Sequence, residues 1–170
     1  MGILNDLRAR VQDAYDNLGQ MVRQSIEPHG PEIMQMQKEQ LFSGIASNGQ
    51  DIRPYYSEDL KPSGFFHSVE SAGRYAAWKQ DGIRYPYKAN RNPDAPNLYI
   101  NGRFHSELDV EFGSDTVGVV PTTPYAAGIV AKYGINTFGL TMANWMIIFV
   151  DRGAYNNLMD ELRKQIYGTT

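Results

Sequence analysis

Apolar and polar residues alternate between Phe104 and Phe112, and this alternation is the strongest constraint on the fold. A period of two is typical of a β-strand with one buried face. The apolar face carries Phe104, Leu108, Val110 and Phe112, interrupted by Ser106. The polar face carries His105, Glu107, Asp109 and Glu111. Turn residues at 113–115 and a β-branched run over 116–120 follow, so the segment 103–120 is predicted to form a hairpin with one solvated face.

The segment after the hairpin has a helical period. Ala126, Ile129, Val130 and Tyr133 recur at intervals of three to four residues, which predicts a helix over 124–133. Gly134 follows in the position of a C-terminal helix cap. The hairpin and this helix therefore predict a rigid strand–strand–helix unit, and its residues match no recognisable catalytic motif.

Residues 1–31 are predicted to form an amphipathic helical arm. Apolar residues recur at three and four positions from Ile3 to Val22, and mostly polar residues occupy the opposite face. Gly19 costs about 1 kcal/mol inside a helix, so a bend there is compatible with the pattern. Pro28 predicts the end of the helix. Such a helix lies along its own domain or along a neighbouring subunit, and its own domain is the usual arrangement.

Residues 32–170 are predicted to form a single α+β core domain. The residues from Ile33 to Met36 favour a short strand, and those from Gln37 to Phe42 favour about one helical turn. A middle helix is predicted over 69–80. The predicted fold is thus an antiparallel sheet with a central hairpin, packed by the long N-terminal helix, the middle helix, the helix at 124–133 and C-terminal helices.

The C-terminal part keeps a helical period after Thr141, which is a plausible N-terminal cap. The apolar run from Trp145 to Val150 also fits a buried strand, because a short run cannot distinguish the two. The helical interpretation is preferred since the pattern continues in register. Gly153 is predicted to split this region into two helices.

Composition excludes several classes of function. The 170 residues contain no cysteine, which excludes disulfides, thiol catalysis and cysteine-ligated metal centres. The net charge of −3 argues against general nucleic-acid binding by the whole domain. No apolar run reaches the roughly 18 residues of a membrane span, and the charged N-terminus is unlike a signal peptide. The eleven tyrosines suit either subunit interfaces or the covering of loops.

A basic, aromatic and proline-rich loop spans residues 83–96. Its cations are Arg84, Lys88 and Arg91, interleaved with Tyr85 and Tyr87. Loops of this composition bind other proteins or single-stranded nucleic acid, or are held to the surface by their own tyrosines. All three interpretations remain open at this point.

The sequence supplies no positive reason to expect an enzyme, a metal or a cofactor. The three histidines lie in separate elements without metal-ligand spacing. Glu107, Asp109 and Glu111 lie about 7 Å apart along one strand face, where they could bind a divalent cation or act with His105 in a small metal-dependent hydrolase. A solvated strand face is the favoured interpretation.

The chain carries three short segments in order: N-G-R-F-H-S-E-L (101–108), Y-A-A-G-I-V-A-K-Y-G (125–134) and F-G-L (138–140). These segments resemble motifs of the tail-completion or head–tail joining proteins of tailed bacteriophages, and of structural proteins of crAss-like phages of Bacteroidetes. The pairs Gln40-Leu41-x-x-Gly44 and Gly49-x-x-Ile52-x-Pro54 add to the resemblance, which covers most of residues 32–170. The tail-completion pattern has other residues where this chain has Gly134-Ile135 and Asn144-Trp145-Met146-Ile147. The resemblance therefore does not specify which layer of the neck the protein forms.

The resemblance implies a structural virion protein, made in the bacterial host cytoplasm, that forms a closed ring in the neck or upper tail. Its expected partners are copies of itself and adjacent neck, portal-adaptor or tail proteins, with transient proximity to DNA and no membrane. The residues expected at assembly contacts are Tyr85, Tyr87, Lys88, Arg91, Tyr125, Tyr133, Phe138 and Leu140. Glu107, Asp109 and Glu111 are expected to face the lumen and to repel DNA.

Overall fold

The computed structural model describes residues 2–55, 58, 68–80, 92, 94–99, 102–114, 116–124 and 126–168. Its helices are α1 (Ile3–Asp16), α2 (Leu18–Ile26), α3 (Gly30–Phe42), α4 (Val69–Gln80), α5 (Arg103–Ser106), α6 (Ala126–Tyr133), α7 (Met142–Met146) and α8 (Ala154–Tyr167). An antiparallel hairpin joins β1 (Leu108–Phe112) to β2 (Val117–Pro121). The predicted α+β class is confirmed, and so are the helices predicted in the middle of the chain and after the hairpin.

The N-terminal helix is divided into α1 and α2. The division falls at Asn17, whose side-chain amide donates to the Asp13 carbonyl oxygen at 2.9 Å. Gly19 lies inside α2, two residues beyond the division. A Cβ built on Gly19 would lie 3.0 Å from the Ser114 carbonyl oxygen. Gly19 therefore allows α2 to approach the hairpin turn closely, and the bend predicted there occurs earlier.

The strand predicted at Ile33–Met36 is wrong, because α3 runs unbroken from Gly30 to Phe42. A 3-10 turn at Glu27–His29 joins α2 to α3, so Pro28 does not end the helical region. Proline is tolerated in the first turn of a helix, where its missing N–H has no partner to lose. The boundary drawn between residues 31 and 32 falls inside α3.

The hairpin begins later than its alternating pattern predicts. Residues Arg103–Ser106 form the short helix α5 after Gly102, whose φ of +83° is in the left-handed region. The Arg103 side chain bonds the Glu107 carboxylate at 2.7 Å, one helical turn away. Strand pairing then runs from Leu108↔Pro121 to Phe112↔Val117. The alternation is confirmed within β1, where Asp109 and Glu111 are exposed and Leu108 is buried.

The core lies where α2, α3, the hairpin and the C-terminal helices meet. Its buried members are Ile26, Ile33, Leu41, Ala46, Ile52, Phe104, Leu108, Val119, Leu140, Ile148 and Ala154. Each large aliphatic side chain contributes about 1.5–3 kcal/mol on burial. α8 packs against both α1 and α2, so the two ends of the chain lie together.

The C-terminal region is helical, as its period predicts. Thr141 caps α7 by accepting a hydrogen bond from the Asn144 N–H at 3.3 Å. α7 continues as a π-helical turn over Ile147–Asp151. Gly153, with φ of +81°, separates this turn from α8. The predicted cap and the predicted split are both confirmed.

Candidate assembly surfaces

An apolar stripe runs along α1 on the outside of the molecule. Its large side chains are all exposed: Ile3, Leu4, Leu7, Val11, Tyr15 and, at the start of α2, Leu18. Ile3 exposes 88%, Leu4 80% and Tyr15 73% of its surface. Scattered apolar residues are normal on protein surfaces, whereas a contiguous row marks an interaction site. We call these six residues the α1 stripe.

Among the residues that the structure describes, α1 is buried along only one edge. Ala14 is 3% exposed, and Asp13 beside it accepts a hydrogen bond from the Gln165 side chain of α8 at 2.6 Å. The side chain of α1 that contacts the core region most closely is therefore small, and the large apolar ones point elsewhere. The usual arrangement, in which an amphipathic helix covers its own domain with its apolar face, is realised only in part.

An apolar groove of about 370 Å³ lies between α2, the hairpin and α7. Its apolar lining comes from Val22, Ile26, Val117, Met142, Trp145, Met146 and Phe149. Among the described lining residues only Arg23 is charged, and its guanidinium lies 3.5 Å from the Glu27 carboxylate. We call this surface the α2–α7 groove.

A ridge of exposed apolar side chains borders the α2–α7 groove. Met142, Met146 and Val150 recur every four residues along α7 and the π-helical turn. Met142 is 75% exposed, and the other two expose more than half of their surface. Methionine is unbranched and adapts to irregular surfaces, which suits a contact that forms after folding.

The residues predicted to make assembly contacts differ in how exposed they are in the fold. Leu140 is only 4% exposed and belongs to the core, so its side chain is not on the surface of the folded chain. Tyr133 and Phe138 are half-buried and pack against the core. Tyr85, Tyr87, Lys88, Arg91 and Tyr125 lie outside the described residues, as does most of the loop at 83–96.

The three carboxylates predicted to line one face do not form one row. Asp109 and Glu111 share the exposed face of β1, whereas Glu107 ends α5 and is half-buried beside Arg103. His105 is buried, and its Nε2 atom lies 3.1 Å from the Asn97 carbonyl oxygen. Within the described ranges, no group of three or more histidine, aspartate or glutamate side chains is arranged to hold a metal ion.

Two buried glutamines on α3 form hydrogen bonds with the segment before α7. Their role was not predicted from the sequence. Gln37 accepts a hydrogen bond from the Gly139 N–H at 2.8 Å. The Gln40 amide donates to the Gly139 carbonyl oxygen at 2.9 Å and accepts from the Thr141 N–H at 2.9 Å. It also accepts from the Asn144 side chain at 3.0 Å. The only signal in the sequence is their spacing of three residues on the face that carries Ile33 and Leu41.

A polar cluster follows the buried residue Ile52. The Tyr55 hydroxyl donates to the Asp51 carboxylate at 2.8 Å, which raises the pKa of Tyr55. The Tyr55 N–H and the Arg53 guanidinium both bind the Glu58 carboxylate. Together they hold the pKa of Glu58 below its ordinary value, and the Tyr55 N–H contributes more. Arg53 also lies 3.6 Å above the Tyr55 ring. The side chains of Asp51, Arg53, Tyr55 and Glu58 thus bind one another on the surface.

Comparison of the chain with protein-family models, with curated proteins and with solved structures gave no match in any of the three. In the part of the chain that the structure describes, no helix is both long enough and apolar enough to cross a membrane. The α1 stripe and the α2–α7 groove are the candidate assembly surfaces among the described residues.

Proposed function

We propose that this chain is a structural virion protein of a tailed bacteriophage that forms a ring in the head-to-tail connector or upper tail, through which DNA passes. The observation that carries the proposal is the α1 stripe, which remains exposed although the chain has a core of its own. Its neighbours in the virion would be neck, portal-adaptor or tail proteins.

The exposed stripe favours association on energetic grounds. Burying one large apolar side chain that was exposed contributes about 1.5–3 kcal/mol. The six side chains of the α1 stripe therefore provide a driving force that can exceed the cost of bringing two chains together. Repetition of one contact about an axis produces a closed ring when the rotation closes.

Gln40 joins two of the segments that carry the resemblance to virion proteins. Gln40 belongs to one of the quoted motifs, and Gly139 belongs to the F-G-L segment. The two residues, 99 positions apart in sequence, are bonded directly through the Gln40 amide. The bond between these two motifs holds the segment before α7 against α3.

Asp109 and Glu111 remain the residues proposed to face the lumen. Their exposed carboxylates would repel the phosphates of passing DNA. We expect the variant Asp109→Asn/Glu111→Gln to bind duplex DNA more tightly than the wild type at low salt, and the difference to shrink as salt rises. Filter binding over a salt series measures it.

The control for the lumen prediction is Asp160→Asn/Glu161→Gln on α8, which removes the same charge from another exposed surface. If both double variants gain the same DNA affinity, only net charge matters, and the proposed position of the hairpin in the lumen is wrong.

The proposed function is tested by light scattering of the purified full chain over a concentration series. We expect a discrete mass equal to a fixed multiple of one chain, which persists on dilution through the micromolar range. A mass of one chain at every concentration would contradict ring formation.

A further inference from the structure

We propose that the α1 stripe of one copy docks into the α2–α7 groove of the next copy. This inference rests on the proposed ring and names the contact that builds it. The two surfaces of this contact are different parts of the same chain. Both are apolar, and both are accessible in the single copy.

The chemistry of the two surfaces matches. The stripe presents only apolar side chains, and the groove presents Val22, Trp145 and Phe149 with Met142 and Met146 at its rim. Among the described lining residues Arg23 alone is charged, and Glu27 already pairs with it. Docking therefore buries apolar surface without leaving an ion unpaired, which is the condition for a favourable interface core.

The groove matches the first part of the stripe in length. Ile3 and Val11 are eight residues apart, about 12 Å along α1, and Met142 and Phe149, the outermost groove residues on the α7 side, are seven residues apart, about 10 Å. Tyr15 and Leu18 extend the stripe beyond this length. If each of the four side chains in this part, Ile3, Leu4, Leu7 and Val11, supplies on the order of 100 Å², they provide about 400 Å², about half of the roughly 800 Å² per partner found in standard interfaces.

The packing of α1 against its own chain leaves the stripe free to contact another copy. Ala14 and the bond from Gln165 to Asp13 hold α1 against α8 of its own chain. A contact between two different surfaces is heterologous, so each copy keeps one free stripe and one free groove until the ring closes. Pairing of two α1 stripes would instead stop at a dimer.

A lipid surface is the competing occupant of an exposed amphipathic helix. Helices that bind anionic membranes carry an excess of lysine and arginine on the polar side. α1 carries three carboxylates, Asp6, Asp13 and Asp16, against Arg8 and Arg10. Its net negative charge favours a protein partner over an anionic membrane.

Disulfide cross-linking tests the contact directly, because the chain has no cysteine of its own. Two full-length variants, Leu4→Cys and Met142→Cys, are mixed under mild oxidation, each with a different tag. We expect the principal covalent product to contain one copy of each variant, with either variant alone giving little product.

Three results would overturn the inference. A dominant product from Leu4→Cys alone would mean that stripes pair with each other. Absence of product while the wild type forms discrete oligomers would reject this contact and leave the ring intact. Absence of oligomers together with flotation of the wild type on phosphatidylserine vesicles would reject both the contact and the ring.

Charge substitutions provide an independent readout. Leu4→Glu and Met142→Glu place a carboxylate on either side of the contact, and both positions are exposed, so the fold should be retained. We expect each to weaken association roughly 10- to 100-fold, the effect of losing one buried large side chain. The matched controls are Asn5→Glu on α1 and Ile135→Glu, another exposed apolar residue outside the groove. Equal weakening by variants and controls would contradict the docking.

Discussion

Gly44→Ala is expected to lower the free energy of unfolding by about 2–4 kcal/mol, because two costs combine at this position. Gly44 follows α3 with φ of +74°, a left-handed conformation that disfavours any side chain. A Cβ there would also lie 2.7 Å from the Cβ of Ala95, which is fully buried. Urea unfolding of the variant and the wild type measures the difference.

The matched control for Gly44 is Gly49→Ala. Gly49 has a similar φ of +78°, but a Cβ there meets no atom within 4 Å. It should therefore show the conformational cost alone, about 1 kcal/mol. If the two variants lose the same stability, the close approach between the end of α3 and Ala95 contributes nothing, contrary to the account.

Gln40→Ala is expected to cost about 3 kcal/mol of unfolding free energy. The substitution removes three hydrogen bonds, to Gly139, Thr141 and Asn144, each worth about 1 kcal/mol. The Gly139 carbonyl and the Thr141 N–H then lose their partner at a position where Gln40 is 6% exposed. Chemical denaturation reports the loss. Because Thr141 caps α7, we also expect the amides of α7 to exchange faster with solvent.

Gln35→Ala is the control for the loss of a glutamine from α3. Gln35 is exposed, and its side-chain amide donates to the Glu39 carboxylate one turn along α3 at 2.6 Å. Its loss should change the unfolding free energy by less than about 0.5 kcal/mol. An equal effect at both positions would show that helix propensity, rather than the link to the segment before α7, explains the loss.

Elements with an unambiguous period were predictable from sequence. Local sequence predicts the alternation of β1, the helical spacing of α4 and α6 and the break at Gly153, and the fold contains all of them. α3 was predicted only in part, as about one turn over Gln37 to Phe42, because Gln37 and Gln40 interrupt the apolar pattern of its buried face. Their partners lie about a hundred residues away, so no local rule reveals that these polar side chains are satisfied inside the protein.

The candidate assembly surfaces were predictable only in part. The period of α1 identifies the stripe, but it cannot indicate whether the chain covers that stripe, since coverage depends on where α8 packs. The α2–α7 groove combines residues near positions 22, 117 and 145, which become neighbours only after folding. Leu140 illustrates the converse, because a residue in a recognisable motif proved to serve the core.

Electron microscopy of the purified full chain tests the central claim most directly. We predict closed rings with a central opening and a uniform copy number, present in the wild type and in Ile135→Glu and depleted in Leu4→Glu. Particles that correspond to single copies, or open filaments without closure, would contradict the account.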